Sequence, residues 1–373
     1  MAPVWSSQPF TAIYVTYFLV NTLLRLPLRL IYYTPKKLRP VPTWSLKACL
    51  MVPIFRDLFD LVEATRYEGS PPPDPKKAKE RYALVEPSED SGIYRGILSP
   101  TREIKPASRP GLWYANPDSV AASNKGKVAI HFPSGGFIFA YDPFWGGSEI
   151  SGIINKHVQT DRVLFAQYRI STSAATRFPA AIQDALTFYH YVLQTGVDAK
   201  DIILSGDSAG GNVVLALMRY LETAGAAAGL PVPGGAMVWS PWVHITEDVI
   251  GQYSQSTRLR TDCLTPGVLQ CGADAYLPKG GLSADVRPFI SPLHHPFKTK
   301  IPLFVQAGTA EIFYDEIRGF ADEMAQAEGN RLLFHETKSA PHNILAGHDL
   351  FNFTPQAVLA ASKASKFFRG ETS

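Results

Sequence analysis

The pentapeptide Gly206-Asp207-Ser208-Ala209-Gly210 constrains this chain more than any other feature, because of where it stands. Ile202-Ile203-Leu204 before it reads as the end of a buried strand, and Asn212 to Leu221 after it reads as a helix. A serine on the sharp turn between such elements needs small neighbours, since the backbone brings strand and helix close together. That turn exposes the hydroxyl at the carboxyl end of a sheet and aims a helix N-terminus at any oxyanion formed beside it. The five residues alone are a weak signal, and the strand-before, helix-after setting gives them weight.

Around this turn the same rhythm repeats. Lys127–His131, Arg162–Tyr168, Asp201–Ser205, Ala236–Trp239, Ile301–Ala307 and Arg331–Thr337 read as strands. Phe178–Leu193, Asn212–Leu221 and Glu316–Ala327 read as helices between them. Alternation of this kind predicts an α/β fold, a mostly parallel sheet with helices on both faces and ligands beyond the carboxyl ends of the strands. The stretch 243–285 breaks the rhythm and is expected to form a lid with the N-terminal helices. Ser45 to Ala64, with Leu46, Leu50, Ile54, Leu58 and Val62 at intervals of four, predicts one such cap helix. The proline run 71–75 then closes a cap-and-linker segment over 41–90, which places the catalytic domain at 91–373.

Composition excludes several classes of function. Thirty-six basic against 33 acidic residues leave a net charge of only +3, and no basic-aromatic stripe points to nucleic acid. Three scattered cysteines form no CxxC pair, and the nine histidines show no HExxH spacing, so neither a disulfide framework nor a metal or other cofactor is expected.

Residues 1–40 form a membrane-associated unit on this reading. As a helix, residues 10–33 would be about 36 Å long against a bilayer core of about 30 Å. Asn21, Arg25, Pro27 and Arg29 weaken a spanning segment, so a short anchor and a partly inserted amphipathic helix both remain open. Lys36, Lys37 and Arg39 follow at once, which predicts a cytosolic catalytic domain, for example at the endoplasmic reticulum.

A serine hydroxyl needs an imidazole base and a carboxylate to orient that base, and in this topology the chain order is serine, acid, histidine. His342, in the loop Ser339-Ala340-Pro341-His342-Asn343 just past the last strand, is the expected base. His335 lies within that strand, and His348 is the nearest rival. The loop after the strand 301–307 offers Glu311 and Asp315. Glu311 is closer to the strand end and is the expected acid, with Asp315 as an anchor behind it or a helix-start residue. Backbone N–H groups of Gly135, Gly136 and Ala209 are the expected oxyanion donors.

Together these pieces resemble the hormone-sensitive-lipase-like branch of the α/β-hydrolases, which includes arylacetamide-deacetylase-like and fungal esterases. The resemblance covers about 90–350 and rests on Gly206 to Asn212, Phe178-Pro179-Ala180-Ala181, Ser240-Pro241-Trp242-Val243, Phe289 to Leu293, Ala307-Gly308 and Pro341-His342. It implies an α/β-hydrolase fold with an eight-stranded sheet and carboxylic-ester hydrolysis, with Ser208 as nucleophile, His342 as base and Glu311 at the acid position. A helical cap, in some members membrane-associated, is also implied. Three departures stand out. Pro133-Ser134 replaces the first two residues of the family's His-Gly-Gly-Gly loop, Glu311 stands where aspartate is commoner, and Tyr168 to Ser173 rewrites a loop expected to shape the pocket. The expected substrate is a small, moderately hydrophobic ester: a lipid, a sterol ester or an acylated secondary metabolite. A non-catalytic ligand-binding homologue, an acyl transferase and a lactonase are the alternatives.

Overall fold

In the computed structural model, which describes residues 3–117 and 126–371, eight strands form one sheet. They are β1 (Tyr82–Val85), β2 (Arg109–Ala115), β3 (Val128–Phe132), β4 (Arg162–Ala166), β5 (Ile202–Asp207), β6 (Gly235–Trp239), β7 (Leu303–Gly308) and β8 (Leu332–Thr337). Their order is β1-β2-β4-β3-β5-β6-β7-β8, antiparallel at β1/β2 and β2/β4 and parallel from there to β8. The principal helices are α1 (Phe10–Tyr33), α2 (Leu46–Thr65), α3 (Gly146–Ile153), α4 (Ala180–Gln194), α5 (Ala209–Tyr220), α6 (Pro266–Tyr276), α7 (Tyr314–Gln326) and α8 (Thr354–Phe368).

Strands buried on both faces explain why the sequence shows apolar runs rather than alternation. Val128, Ile130, Leu164, Ile202, Leu204, Ala236, Val238, Leu303 and Val305 pack on one face with α4, α5 and α7. Their odd-numbered or even-numbered neighbours, among them Ala129, Val163, Phe165, Ile203, Met237, Trp239 and Phe304, pack on the other with α3 and α8. Each side chain follows the strand period of two.

Two expectations about boundaries are corrected. The sheet begins at Tyr82, so the sheet domain does not start near residue 91; β1 lies within the expected linker and pairs with β2 from Tyr82↔Leu112 to Val85↔Arg109. Strand β2 escapes sequence reading because Pro110 and Gly111 look like a turn. At Gly111 a Cβ would press on Leu164 and Phe188 at 3.0 and 3.1 Å, so the missing side chain is a packing requirement. The helix after Ser208 also starts three residues earlier than its apolar pattern, at Ala209, leaving Ser208 directly at its N-terminus.

Two segments pack over the carboxyl end of the sheet. α2 starts at Ser45, whose hydroxyl accepts the Ala48 N–H at 3.1 Å, and it packs on α6 of the 243–285 insertion. Trp44, Ala48, Cys49 and Val52 join Cys263, Ala310, Ala340, Ile344 and Phe351 in a separate core at the carboxyl end of the sheet. α1 runs unbroken through Pro27 and rests on α2, where Arg29 pairs with Asp57 at 3.0 Å. No residue of α1 is buried, and Leu23, Leu24, Leu28 and Ile31 are each about two-thirds or more exposed. By length and composition it is the one helix among the described residues able to cross a membrane.

The turn that bears Ser208 is among the tightest points of the fold. A Cβ on Gly210 would lie 1.9 Å from the Phe132 carbonyl oxygen, and one on Gly206 would lie 2.3 Å from that of Gly210. Gly210→Ala should therefore force β3 and α5 apart and destabilise the protein by about 3 kcal/mol or more. A urea-unfolding midpoint equal to that of the unsubstituted protein would contradict this packing.

Candidate active site

Ser208 stands alone between β5 and α5 with φ 54° and ψ −118°, a strained conformation for a residue with a side chain. Its backbone is fixed on both sides. The Ser208 N–H donates to the Trp239 carbonyl at 2.9 Å, and its carbonyl accepts the N–H groups of Asn212 at 3.1 Å and Trp242 at 3.0 Å. These bonds hold the turn in register with β6.

His342 and Glu311 come together as expected. The loop after β8 carries His342, the loop after β7 carries Glu311, and the parallel β7/β8 pairing sets the two loops side by side. His342 Nδ1 lies 2.7 Å from Glu311 Oε2, with both groups buried. The other carboxylate oxygen accepts the Gly308 N–H at 2.6 Å and the Ser240 hydroxyl at 3.0 Å. Ser240 Oγ in turn accepts the Asn343 N–H at 3.0 Å, so one hydroxyl spans the acid and the histidine loop.

Burial by itself lowers the His342 pKa. The hydrogen bond and charge of Glu311, with Asp262 and Asp207 nearby, outweigh burial and leave it raised above 6.5. Burial raises the Glu311 pKa, opposed by the bond to His342.

The remaining candidates lie elsewhere. Asp315 is not behind the acid: it is exposed in the first turn of α7 and pairs with Arg258, which is the helix-start alternative. His335 is held within β8, where burial first and Lys363 second push its pKa down to about 4. His348 bonds Thr354, His244 meets Glu316 at 3.1 Å, and His294 meets Glu323 at 2.7 Å. None of these four joins Glu311.

The expected oxyanion loop turns sharply, with positive φ at Gly135 (124°), Gly136 (57°) and Phe137 (66°). A Cβ at Gly135 would meet the Phe139 carbonyl at 2.0 Å, so only glycine fits. The Gly135 carbonyl accepts the N–H groups of Ile138 and Phe139. Among the described residues, no acceptor is bonded to the N–H groups of Gly135, Gly136 or Ala209.

Pro133-Ser134 leaves this loop well supported. The Tyr168 hydroxyl donates to the Pro133 carbonyl at 2.8 Å, and the Asn343 amide donates to Ser134 Oγ at 3.2 Å and also to Asp207. Asp207 Oδ1 lies 3.0 Å from His131 Nε2, and His131 Nδ1 lies 2.9 Å from Ser205 Oγ. The loop 168–173 does not line the Ser208 cavity, contrary to expectation. Tyr168 and Ile170 face a neighbouring cavity and brace the oxyanion loop from behind, and the Ser171 N–H donates to the Phe137 carbonyl at 2.6 Å.

Ser208, His342, Gly135 and Gly136 all open onto one cavity. Phe55, Phe59 and Val62 of α2 form part of its wall, with Cys263, Leu264, Val268 and Leu269 of the insertion. Trp145, Ile150, Leu350 and Phe351 add to it, and among the described residues no Asp, Glu, Lys or Arg lines it. Among the described residues no group of three or more His, Cys, Asp or Glu is placed to hold a metal ion.

Ser240, Asp207, Asn343 and Asp262 were not read from the sequence as parts of this site. Asn343 adjoins the candidate base, which is a usable signal. Asp262 gives none, because its burial depends on where a seemingly irregular insertion folds.

Comparison with known proteins defines the class. Residues 129–346 match a family described as having the α/β-hydrolase fold, and this chain belongs to that family. It is 29% identical over 196 residues to an acetyl-hydrolase of Streptomyces hygroscopicus, covering 52% of this chain and 61% of that protein. It is 29% identical over 192 residues to an esterase of Acinetobacter venetianus, covering 49% and 60%. The match thus spans about three-fifths of each relative. A crystal structure of an esterase from the bacterial hormone-sensitive lipase family superposes with a TM-score of 0.62 at 22% identity, over 88% of this chain and 99% of that one. An esterase of the archaeon Pyrobaculum calidifontis superposes with a TM-score of 0.60 at 17% identity, over 86% and 93%. These superpositions establish the fold.

The electrostatics of the pair can be measured directly. An NMR titration of the His342 ring should give a midpoint above 6.5, and Glu311→Gln should move it down, because burial then faces less opposition. A midpoint that ignores Glu311→Gln would contradict the pairing.

Proposed function

We propose that this protein is a serine esterase that cleaves an uncharged, moderately hydrophobic carboxylic ester through an acyl-enzyme. One observation carries the reading: Ser208, His342 and the unbonded N–H groups of the Gly135-Gly136 loop share a single apolar cavity. The bond from His342 to a buried Glu311 supports a base of fixed tautomer, with Nε2 left free for the hydroxyl. The names of the two relatives, acetyl-hydrolase and esterase, favour the same chemistry.

In this mechanism Ser208 Oγ attacks the ester carbonyl while His342 Nε2 takes the hydroxyl proton. Charge builds on the former carbonyl oxygen, where the N–H groups of Gly135, Gly136 and Ala209 and the N-terminus of α5 stabilise it. The tetrahedral intermediate collapses, the bond to the alcohol oxygen breaks, and His342 returns its proton to that oxygen. A water then attacks the acyl carbonyl, His342 again takes and returns a proton, and the acid leaves Ser208 free. Glu311 orients the ring and stabilises the imidazolium without itself accepting the proton.

The aromatic and aliphatic wall favours an apolar acyl or alcohol group, such as that of a lipid, a sterol ester or an acylated secondary metabolite. Association with a membrane surface through α1 is supported by its exposed apolar residues, among them Leu23, Leu24, Leu28 and Ile31, and by Lys36, Lys37 and Arg39 directly after it. That charge placement favours a cytosolic catalytic domain.

Ser208→Ala should abolish hydrolysis of p-nitrophenyl butyrate, and a fluorophosphonate should label the unsubstituted protein at Ser208. Retained turnover, or labelling elsewhere only, would refute the esterase reading. For the membrane, the doubly substituted Leu24→Glu/Leu28→Glu protein should no longer float with phosphatidylcholine vesicles while keeping turnover of the soluble ester within about two-fold. Equal flotation of both proteins would refute a role for α1.

A further inference from the structure

We propose that Asp262, in the cap insertion, is a positioning residue of the hydrolytic site: its carboxylate sets the His342 and Glu311 loops against each other, and Arg56 of α2 ties it to the cap. The inference rests on the serine-esterase reading. It concerns a residue outside the triad, outside the oxyanion loop and outside the lining of the catalytic cavity.

Asp262 is fully buried, and no salt bridge reaches its carboxylate among the described residues. Burying a carboxylate costs several kcal/mol unless its oxygens are well bonded (roughly, after relaxation). Three backbone N–H groups supply those bonds. Oδ1 accepts from Cys263 at 2.7 Å and from His342 at 3.0 Å, and Oδ2 accepts from Ile312 at 2.6 Å. One of these donors is the backbone of the base itself, and another belongs to the residue directly after the acid. One rigid planar group therefore bridges the two triad loops directly, beside the Ser240 hydroxyl and the bond from the Ala310 N–H to the Ala340 carbonyl. An asparagine would present an NH₂ to one of the three donors, so the donor pattern selects a carboxylate.

The same residue connects outward. Arg56 donates through Nε at 3.1 Å, and also through a terminal nitrogen, to the Asp262 carbonyl. Its neighbours Phe55 and Phe59 on α2 line the cavity, as do Cys263 and Leu264 beside Asp262. The helix that closes the cavity thus holds the residue that spaces the triad. A cap docked without Arg56 would still cover the substrate but would leave the Asp262 loop less firmly held.

Asp262 also contributes charge. Groups facing His342 are Glu311 from the β7 loop, Asp262 from the insertion and Asp207 from the end of β5. The Cys263 thiol and the Tyr141 phenol share its cavity, and burial pushes both upward so that they stay neutral. The edge of the Phe313 ring completes the surroundings, with centroids 5.3 Å apart. Among these, the three carboxylates favour the imidazolium that forms when His342 takes the Ser208 proton, so removing one should lower its pKa.

The test is steady-state hydrolysis of p-nitrophenyl butyrate across pH by the full chain and by Asp262→Asn, Asp262→Glu and Arg56→Met, with fluorophosphonate labelling of Ser208 to count intact sites. Asp262→Asn should lower kcat roughly 10- to 100-fold at nearly constant KM. Its acidic limb of kcat/KM should move to lower pH. Asp262→Glu, which keeps the charge but not the geometry, should lose kcat while its limb stays in place. Arg56→Met should lower kcat about three-fold or more with KM unchanged, and this variant carries the test if Asp262→Asn does not fold. An Asp262→Asn protein with unaltered kcat, with a loss confined to KM, or with an unmoved limb would overturn the proposal, as would unaltered kcat in Arg56→Met. Failure of the esterase reading itself looks different, since Ser208→Ala would then retain activity.

Discussion

The close approach of two backbones at the end of β3 and the start of α5 governs the rest of the structure. Gly210 meets the Phe132 carbonyl so closely that no side chain fits, and Gly211 meets Pro241 in the same way. This contact draws the turn that bears Ser208 against the loop 133–137 and holds Ser208 at positive φ. A helix N-terminus, a strained serine and a loop with free N–H groups become neighbours through steric fit alone. Separation of the two backbones by one methyl group would undo all three at once.

Around that contact lie three buried carboxyl side chains. Asp207, Glu311 and Asp262 are all fully buried; Glu311 and Asp262 have donors at both oxygens, and Asp207 accepts the Asn343 amide at one. Backbone N–H groups and neutral side chains supply nearly all of these donors, so the carboxylates are held by the fold rather than by surface cations. Ser240 and Asn343 act as cross-links between loops from different strands. The histidine missing from the 133–136 loop is offset by this network, in which His131, two residues earlier on β3, faces Asp207.

The cap joins the proposed chemistry to the proposed location. α2 has its aromatic residues on the cavity side and supports α1 on another. Arg29, which weakens a spanning segment when read as sequence, is paired with Asp57 and only slightly exposed. That pairing favours an interfacial helix attached to the cap over an independent span. An apolar ester drawn from a membrane would then meet the apolar cavity wall close to where the helix lies.

Local pattern alone sufficed for much of this protein. Apolar runs gave the parallel strands β3 to β7, because strands buried on both faces leave that mark, and the half-buried edge strand β8 kept a shorter run, Leu332 to Phe334. Chain order and strand ends singled out Ser208, Glu311 and His342, since topology forces such groups to one rim of the sheet. The two antiparallel strands β1 and β2 were not legible; in β2, Pro110 and Gly111 carry a turn signal that tertiary packing overrides. The roles of Asp262, Asn343 and Ser240 were equally hidden. Each depends on loops more than 70 residues apart meeting in space, and sequence records residue type without recording burial or the donors that surround a carboxylate.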